Sequence, residues 1–227
     1  MKYSATLFSI ILFSIASFAQ KTEPTGKQIT PYNVHITGLD QFAAERPKGS
    51  PYIQPLFAQA KLENIESKVN MRYNAYNDQF EFIGNRNDTL LLDKIDEFST
   101  IVFLGSNKKY KLVTYSNNIE KSHKGYLIEL YSKANFTLFK REWVSFYAGK
   151  KAKTSLEKDM PAKFNKESDS YYLKDTNGYI TDFPESKKQL TKLFPDKKEA
   201  IETFVKENKI DFDADADRIK IIDFLAQ

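Results

Sequence analysis

Between Val69 and Phe82 the chain reads "VNMRYNAYNDQFEF", and its apolar residues recur at every second position. Val69, Met71, Tyr73 and Ala75 share one face, and Asn70, Arg72, Asn74 and Tyr76 share the other. After Asn77-Asp78 the alternation resumes, with Phe80 and Phe82 on one side and Gln79 and Glu81 on the opposite side. A period of two belongs to a strand with one buried face, and an Asn-Asp pair tolerates the backbone angles of a tight turn. The spacing predicts a β-hairpin whose aromatics point inward and pair across the strands, with Tyr76 beside the turn as a rim residue.

Similar segments follow at short intervals. They are "TLLLD", "STIVFL" ended by "GSNKK", "YKLVTYS" ended by "NNIEKSHKG", "YLIELYS" and "NFTLFKREWVSFYAG". Phe and Tyr supply 18 and 13 residues against a single Trp, a bias that suits half-buried pleated surfaces. The pattern is that of an antiparallel meander, open or curved into a partial barrel. In the lysine-rich stretch after Lys150, "SYYLKDTNGYITDF" adds one more hairpin across Thr176-Asn177-Gly178.

The period then changes. "ESKKQLTKLF" places Leu190, Leu193 and Phe194 on one stripe behind Ser186 as N-cap. "PDKKEAIETFVKENK" does the same with Ala200, Ile201, Phe204 and Val205, where Asp196 and Glu199 have capping-box spacing. Finally, "DADRIKIIDFLAQ" sets Ile219, Ile222 and Leu225 at helical spacing. Three helices this short need something to pack on, and the sheet is the available surface. The fold class is therefore α+β: an antiparallel β domain over 51–184 and a small helical tail over 185–227.

Ahead of these lie two further segments. Residues 1–19 carry Lys2, an apolar run from Ala5 to Phe18, and small residues at Ser17 and Ala19, the layout of a secretory signal peptide cleaved after Ala19. Its apolar run is shorter than the roughly 20 residues a membrane span needs, so no integral span is expected in the mature chain. Residues 20–50 have scattered Pro and Gly and read as a poorly ordered lead-in, with "YNVHITGL" as a short edge strand. The expected location is periplasmic or secreted. An exported chain without cysteine has no disulfides, thiolate metal sites or thiol nucleophile, and its core alone must hold it. Removing Lys2 takes the formal net charge from +4 to +3, too mild and dispersed an excess to point to nucleic acid.

"GSPYIQPLF", "MRYNAYNDQFEF" and the late "LFPDKKEAIETFVKENKIDFDADADRIKIIDFL" together resemble a widespread group of uncharacterised exported proteins of Bacteroidota, with a β-rich body and a C-terminal helical tail. The similarity spans residues 49–227. It implies a Gram-negative envelope location and carries no catalytic residue with it.

Candidate sites are few. "DFDADAD" sets Asp211, Asp213, Asp215 and Asp217 at alternate positions, yet a calcium loop begun at Asp211 needs Gly and Glu where Ala216 and Ile222 stand, and one begun at Asp213 meets Arg218 and Phe224. These acids read as caps and dipole partners of the last helix. His35, in the lead-in with no partner nearby in sequence, reads as an exposed side chain, and His123, in the turn before Gly125, as a solvated loop residue. Asp93, Asp96 and Glu97 read as solvated strand ends, and the lysine pairs at 108–109, 150–151, 187–188 and 197–198 as a soluble surface. Trp143 is expected to be mostly buried, in a strand where Lys140-Arg141-Glu142 can hold a bulge.

No catalytic, cofactor or metal residue is assigned. Two loop histidines and unpaired acids give a hydrolytic enzyme no nucleus. The reading is an exported, non-enzymatic envelope protein that acts by binding or protein interaction. Its partner is then an envelope protein or an apolar ligand. The alternative is a periplasmic carrier for a lipid or other apolar molecule held between curved sheet and helices.

Overall fold

The computed structural model describes residues 26–28, 47–117, 122–154 and 156–227. The signal peptide and its cleavage point, His35 and "YNVHITGL" lie outside the described residues.

Eleven strands form one antiparallel sheet. Its first half contains β1 (Gly26–Gln28), β2 (Ala58–Leu62), β3 (Val69–Asn74), β4 (Gln79–Ile83) and β5 (Thr89–Leu92). Its second half contains β6 (Thr100–Phe103), β7 (Lys109–Tyr115), β8 (His123–Lys133), β9 (Phe136–Arg141), β12 (Ser170–Lys174) and β13 (Ile180–Asp182). The spatial order is β1-β5-β4-β3-β2-β6-β7-β8-β9-β12-β13. Two meanders therefore meet where β2 pairs β6, and the chain crosses between them after β5 through a 3₁₀ turn at Asp96–Phe98. The sheet stays open, but its second half curls: the Ser116 amide, just past β7, donates to Ile180 O of β13 at 2.9 Å.

The hairpin expected over 69–83 is present, with Met71 opposite Phe82 and Tyr73 opposite Phe80. Its turn differs from the expectation. Asn74 pairs Gln79, which leaves four residues in the loop, and of the Asn-Asp pair only Asp78 takes a left-handed φ, at 51°. Tyr76 is no rim residue. Its ring packs edge-on against Phe146 and Phe164, with centroids 6.2 and 5.4 Å away. Those rings belong to a separate two-stranded sheet of β10 (Val144–Tyr147) and β11 (Lys163–Lys166), so Tyr76 joins the hairpin turn to the second sheet. The stretch expected as one long strand over 135–149 is broken at Glu142-Trp143, where the chain leaves the main sheet for this small one.

The three helices are α1 (Lys187–Leu193), α2 (Lys198–Glu207) and α3 (Asp215–Leu225). Ser186 caps α1 as expected, its Oγ accepting from Gln189 N at 3.3 Å. The capping box at Asp196 and Glu199 does not form. Pro195 starts a 3₁₀ turn that runs directly into α2, so Asp196 sits inside that turn and not at a helix boundary, and no side chain caps α2. Leu193 and Ala200 also fall outside the buried stripe.

The packing explains why the tail exists. Phe136, Leu138, Leu173 and Phe183 of the sheet side close against Leu190, Ile201, Ile221, Ile222 and Leu225 of the helices. On the reverse face of the same strands, Phe139 and Tyr172 join Tyr115, Leu127 and Ile180 in a second cluster. Strand β9 is covered on both faces, and Phe136 to Phe139 is accordingly an unbroken buried run. Helix α3 packs on β8 and β9 and stacks Phe224 against Phe204 of α2 at 4.4 Å, and adjacent Ile221 and Ile222 are both fully buried.

Candidate functional site

Strand β9 ends at Arg141, β12 begins at Ser170, and β13 ends at Asp182. Antiparallel pairing puts these three positions at one end of the sheet. The chain after β13, through Phe183, Pro184 and Glu185, turns into α1, while the loop before α3 brings Phe212, Asp213 and then Arg218 across from it. Between them is a cleft of about 470 Å³, with Asn117, Trp143, Asp169, Tyr171 and Tyr172 completing its lining. A volume of this order suits a small ligand.

Trp143 owes its place to the strand break. Glu142 turns inward, 6% exposed, and accepts from Lys108 Nζ at 2.9 and 2.8 Å. That sends the next side chain the other way. The indole is half-buried, its Nε1 donates to Ser168 O at 3.0 Å, and the Trp143 backbone carbonyl accepts from the Glu167 amide at 3.1 Å. The ring is thus fixed at Nε1 and its backbone at the carbonyl, and Trp143 lines the cleft. The expected bulge in this region is a full break in the strand.

The two arginines of the cleft differ. Arg218, 8% exposed, stacks over the Tyr171 ring at 3.6 Å and donates through Nη1 to Asp213 O and Asp215 Oδ1, each at 2.9 Å. Burial and the neighbouring Asp215 push the Tyr171 hydroxyl up to about 12. Arg141 is half-buried, with its guanidinium carbon 5.9 Å from the Trp143 ring centroid. Among the described residues no carboxylate lies within 4.0 Å of it, whereas Asp169 is held by Lys140 at 3.4 Å. Burial acts to lower the Arg141 guanidinium, and Tyr115, Tyr172, Asp78 and Tyr73 around it more than compensate, so its net shift is upward and it stays charged.

Behind Arg141 a row of rings runs into the sheet. Tyr172 and Tyr115 are 4.8 Å apart, Tyr115 and His123 5.2 Å. His123 was expected in a turn; it is the first residue of β8, because that strand begins earlier than the apolar run suggests. Its Nε2 lies 3.6 Å from Asp78 Oδ2. Asp78 is 5% exposed and accepts from Tyr73 Oη at 2.6 Å, Lys94 Nζ at 2.7 Å and the Tyr126 amide at 3.1 Å. A buried carboxylate with this many donors serves as a structural tie between the hairpin, the segment following β5 and strand β8.

The remaining candidates are scattered. In the aspartate run, Asp211 Oδ1 accepts from the Asp213 amide and Asp217 Oδ2 from the Asp211 amide, each at 2.9 Å, while Asp217 Oδ1 accepts from Lys220 Nζ at 2.7 Å. Asp215 and Asp217 occupy the first turn of α3, as the dipole reading expects, but the N-cap is Ala214 and no aspartate caps it. Asp96 is exposed and pairs with Lys124 at 3.1 Å. The lysine pairs do not gather: Lys108 meets Glu142, Lys109 meets Glu129 at 2.9 Å, and Lys197 Nζ donates to Leu225 O at 3.1 Å. Among the described residues no cluster of three or more His, Asp or Glu could hold a metal ion, and no helix is long and apolar enough to cross a membrane.

Neither arginine stood out in the sequence. The available signals were an Arg-Glu-Trp run interrupting a strand and an arginine directly after a run of alternating aspartates.

No family description, no curated protein and no solved structure matches this chain.

Proposed function

We infer that this is an exported, non-enzymatic envelope protein that works by binding, and that its binding site is the cleft between the sheet end and the helical tail. The observation that carries this reading is Trp143, a half-buried ring anchored through Nε1 to Ser168 O, with its backbone carbonyl held by the Glu167 amide and the charged Arg141 guanidinium carbon 5.9 Å over the indole. A fixed aromatic face with a polar group beside it loses little freedom when a ligand settles on it. The apolar tail–sheet core is filled by its own side chains, and the cleft is edged by Arg141, Asp169, Asp182 and Glu185. Both features favour a polar ligand over the lipid of the alternative reading. The resemblance to exported Bacteroidota proteins supports the location.

Native mass spectrometry of the protein recovered from a Gram-negative envelope tests the reading. A small adduct on the wild type that is lost in Trp143→Ala is expected. Equal adduct occupancy in both would place binding elsewhere, and a protein that emerges bare and responds to no polar ligand would remove the reading.

A further inference from the structure

Resting on that reading, we propose that the ligand is a six-membered ring bearing a single carboxylate, with the carboxylate on Arg141 and a ring face on Trp143.

The charge arrangement selects an anion. Arg141 is a half-buried guanidinium beside indole and phenol rings, with no carboxylate in ion-pair range among the described residues. Asp78 reaches it only at longer range and already accepts from Tyr73, Lys94 and the Tyr126 amide. Arg218, by contrast, is neutralised within its own helix by Asp215. A planar fork of donors that meets the Tyr172 phenol but no carboxylate in ion-pair range among the described residues matches a ligand carboxylate in bidentate geometry.

The surroundings restrict that anion further. Asp169, Asp182 and Glu185 line the same cleft, and their field opposes a dianion such as a phosphate monoester while tolerating a single charge paired with Arg141. The same carboxylates accept hydrogen bonds, which suits a ligand carrying hydroxyl groups on the ring. The guanidinium carbon lies 5.9 Å over the Trp143 ring centroid, close enough for one small molecule to place a carboxylate on Arg141 and a ring against the indole. Two sources share this chemistry: a uronic acid, whose pyranose C–H face stacks on indole, and a hydroxylated aromatic acid, whose π-face does.

Trp143 is the only tryptophan, so its emission reports binding directly. The full mature chain is titrated with glucuronate, 4-hydroxybenzoate, their neutral counterparts glucose and phenol, and inorganic phosphate. The proposal expects a saturable shift with one of the two carboxylates, which identifies the source. It also expects binding at least about tenfold weaker for the matching neutral compound, as loss of a charge-assisted hydrogen-bond pair implies. Arg141→Gln should lose the same preference, with Arg141→Lys intermediate. A neutral compound that binds as well as its acid overturns the carboxylate assignment while leaving the binding reading intact, and a response to phosphate alone does the same. No response to either carboxylate overturns the inference, and the native adduct then decides separately whether the cleft binds anything. The acid-to-neutral comparison uses the wild-type chain and does not depend on any variant folding.

Discussion

Asp78 is the residue on which most of the fold's polar geometry converges. It sits at φ 51° in the hairpin loop, and its carboxylate ties Tyr73, Lys94 and the Tyr126 amide together inside the sheet. Removing it strands a phenol, an ammonium and an amide at once, so Asp78→Ala is expected to cost about 3 kcal/mol in a urea titration. Gly125 makes the approach feasible, since a Cβ there would run into Asp78 Oδ2 and the edge of His123. Gly125→Ala is expected to cost about 1–3 kcal/mol as overpacking, and a neutral result would show that Asp78 can move away freely. From sequence, Asp78 looked like a turn residue of ordinary kind. Its partners are up to 48 positions away, and local pattern carries no information about such pairings.

At the scale of elements, the tail is bound to the sheet by side chains that the helical stripes did announce and by some that they did not. Leu190, Ile201, Ile222 and Leu225 were legible from their spacing. Ile221 was not, because a helix packed on two sides needs no single stripe. Strand β11 was invisible for a related reason: its four residues pair with β10 outside the main sheet and show no alternation. The Ser186 cap was legible because a cap is a strictly local device, and Ser186→Ala is expected to lower stability by about 1 kcal/mol. Charge also holds the tail: Asp223 of α3 accepts from Lys133 Nζ and Tyr131 Oη of β8, both at 2.7 Å. Lys133 first, then Tyr131, holds the Asp223 carboxyl below its ordinary value. A depressed acid contributes stability above its unfolded pKa, and that contribution is lost as pH falls through the folded value, below the ordinary Asp range of about 3.9. Thermal melts on acidification should therefore fall less steeply in Lys133→Ala than in the wild type, and parallel curves would remove the pair from the account.

For the whole molecule, the consequence is that sheet and tail form one body and that the cleft exists only where they meet. The α+β class and the strand-then-helix order were readable because periods of two and of about 3.6 are written in the sequence itself. The cleft was not readable, because it joins residues from β9, β12, β13 and α3 that share no local pattern. Five tail residues, Leu190, Ile201, Ile221, Ile222 and Leu225, are each no more than 2% exposed. At roughly 1.5–3 kcal/mol for each buried side chain, they rival the ~5–15 kcal/mol that stabilises a whole domain. A chain ending at Pro184 is expected to be insoluble or partly unfolded. The most direct test of one body with a fixed cleft is equilibrium urea unfolding of the mature chain, followed both by Trp143 emission at the cleft and by far-ultraviolet circular dichroism of the helices. The account expects the two signals to share a single transition with one midpoint. Helices that melt at lower urea while Trp143 keeps its native emission would contradict it, since the second wall of the cleft would then not depend on the first.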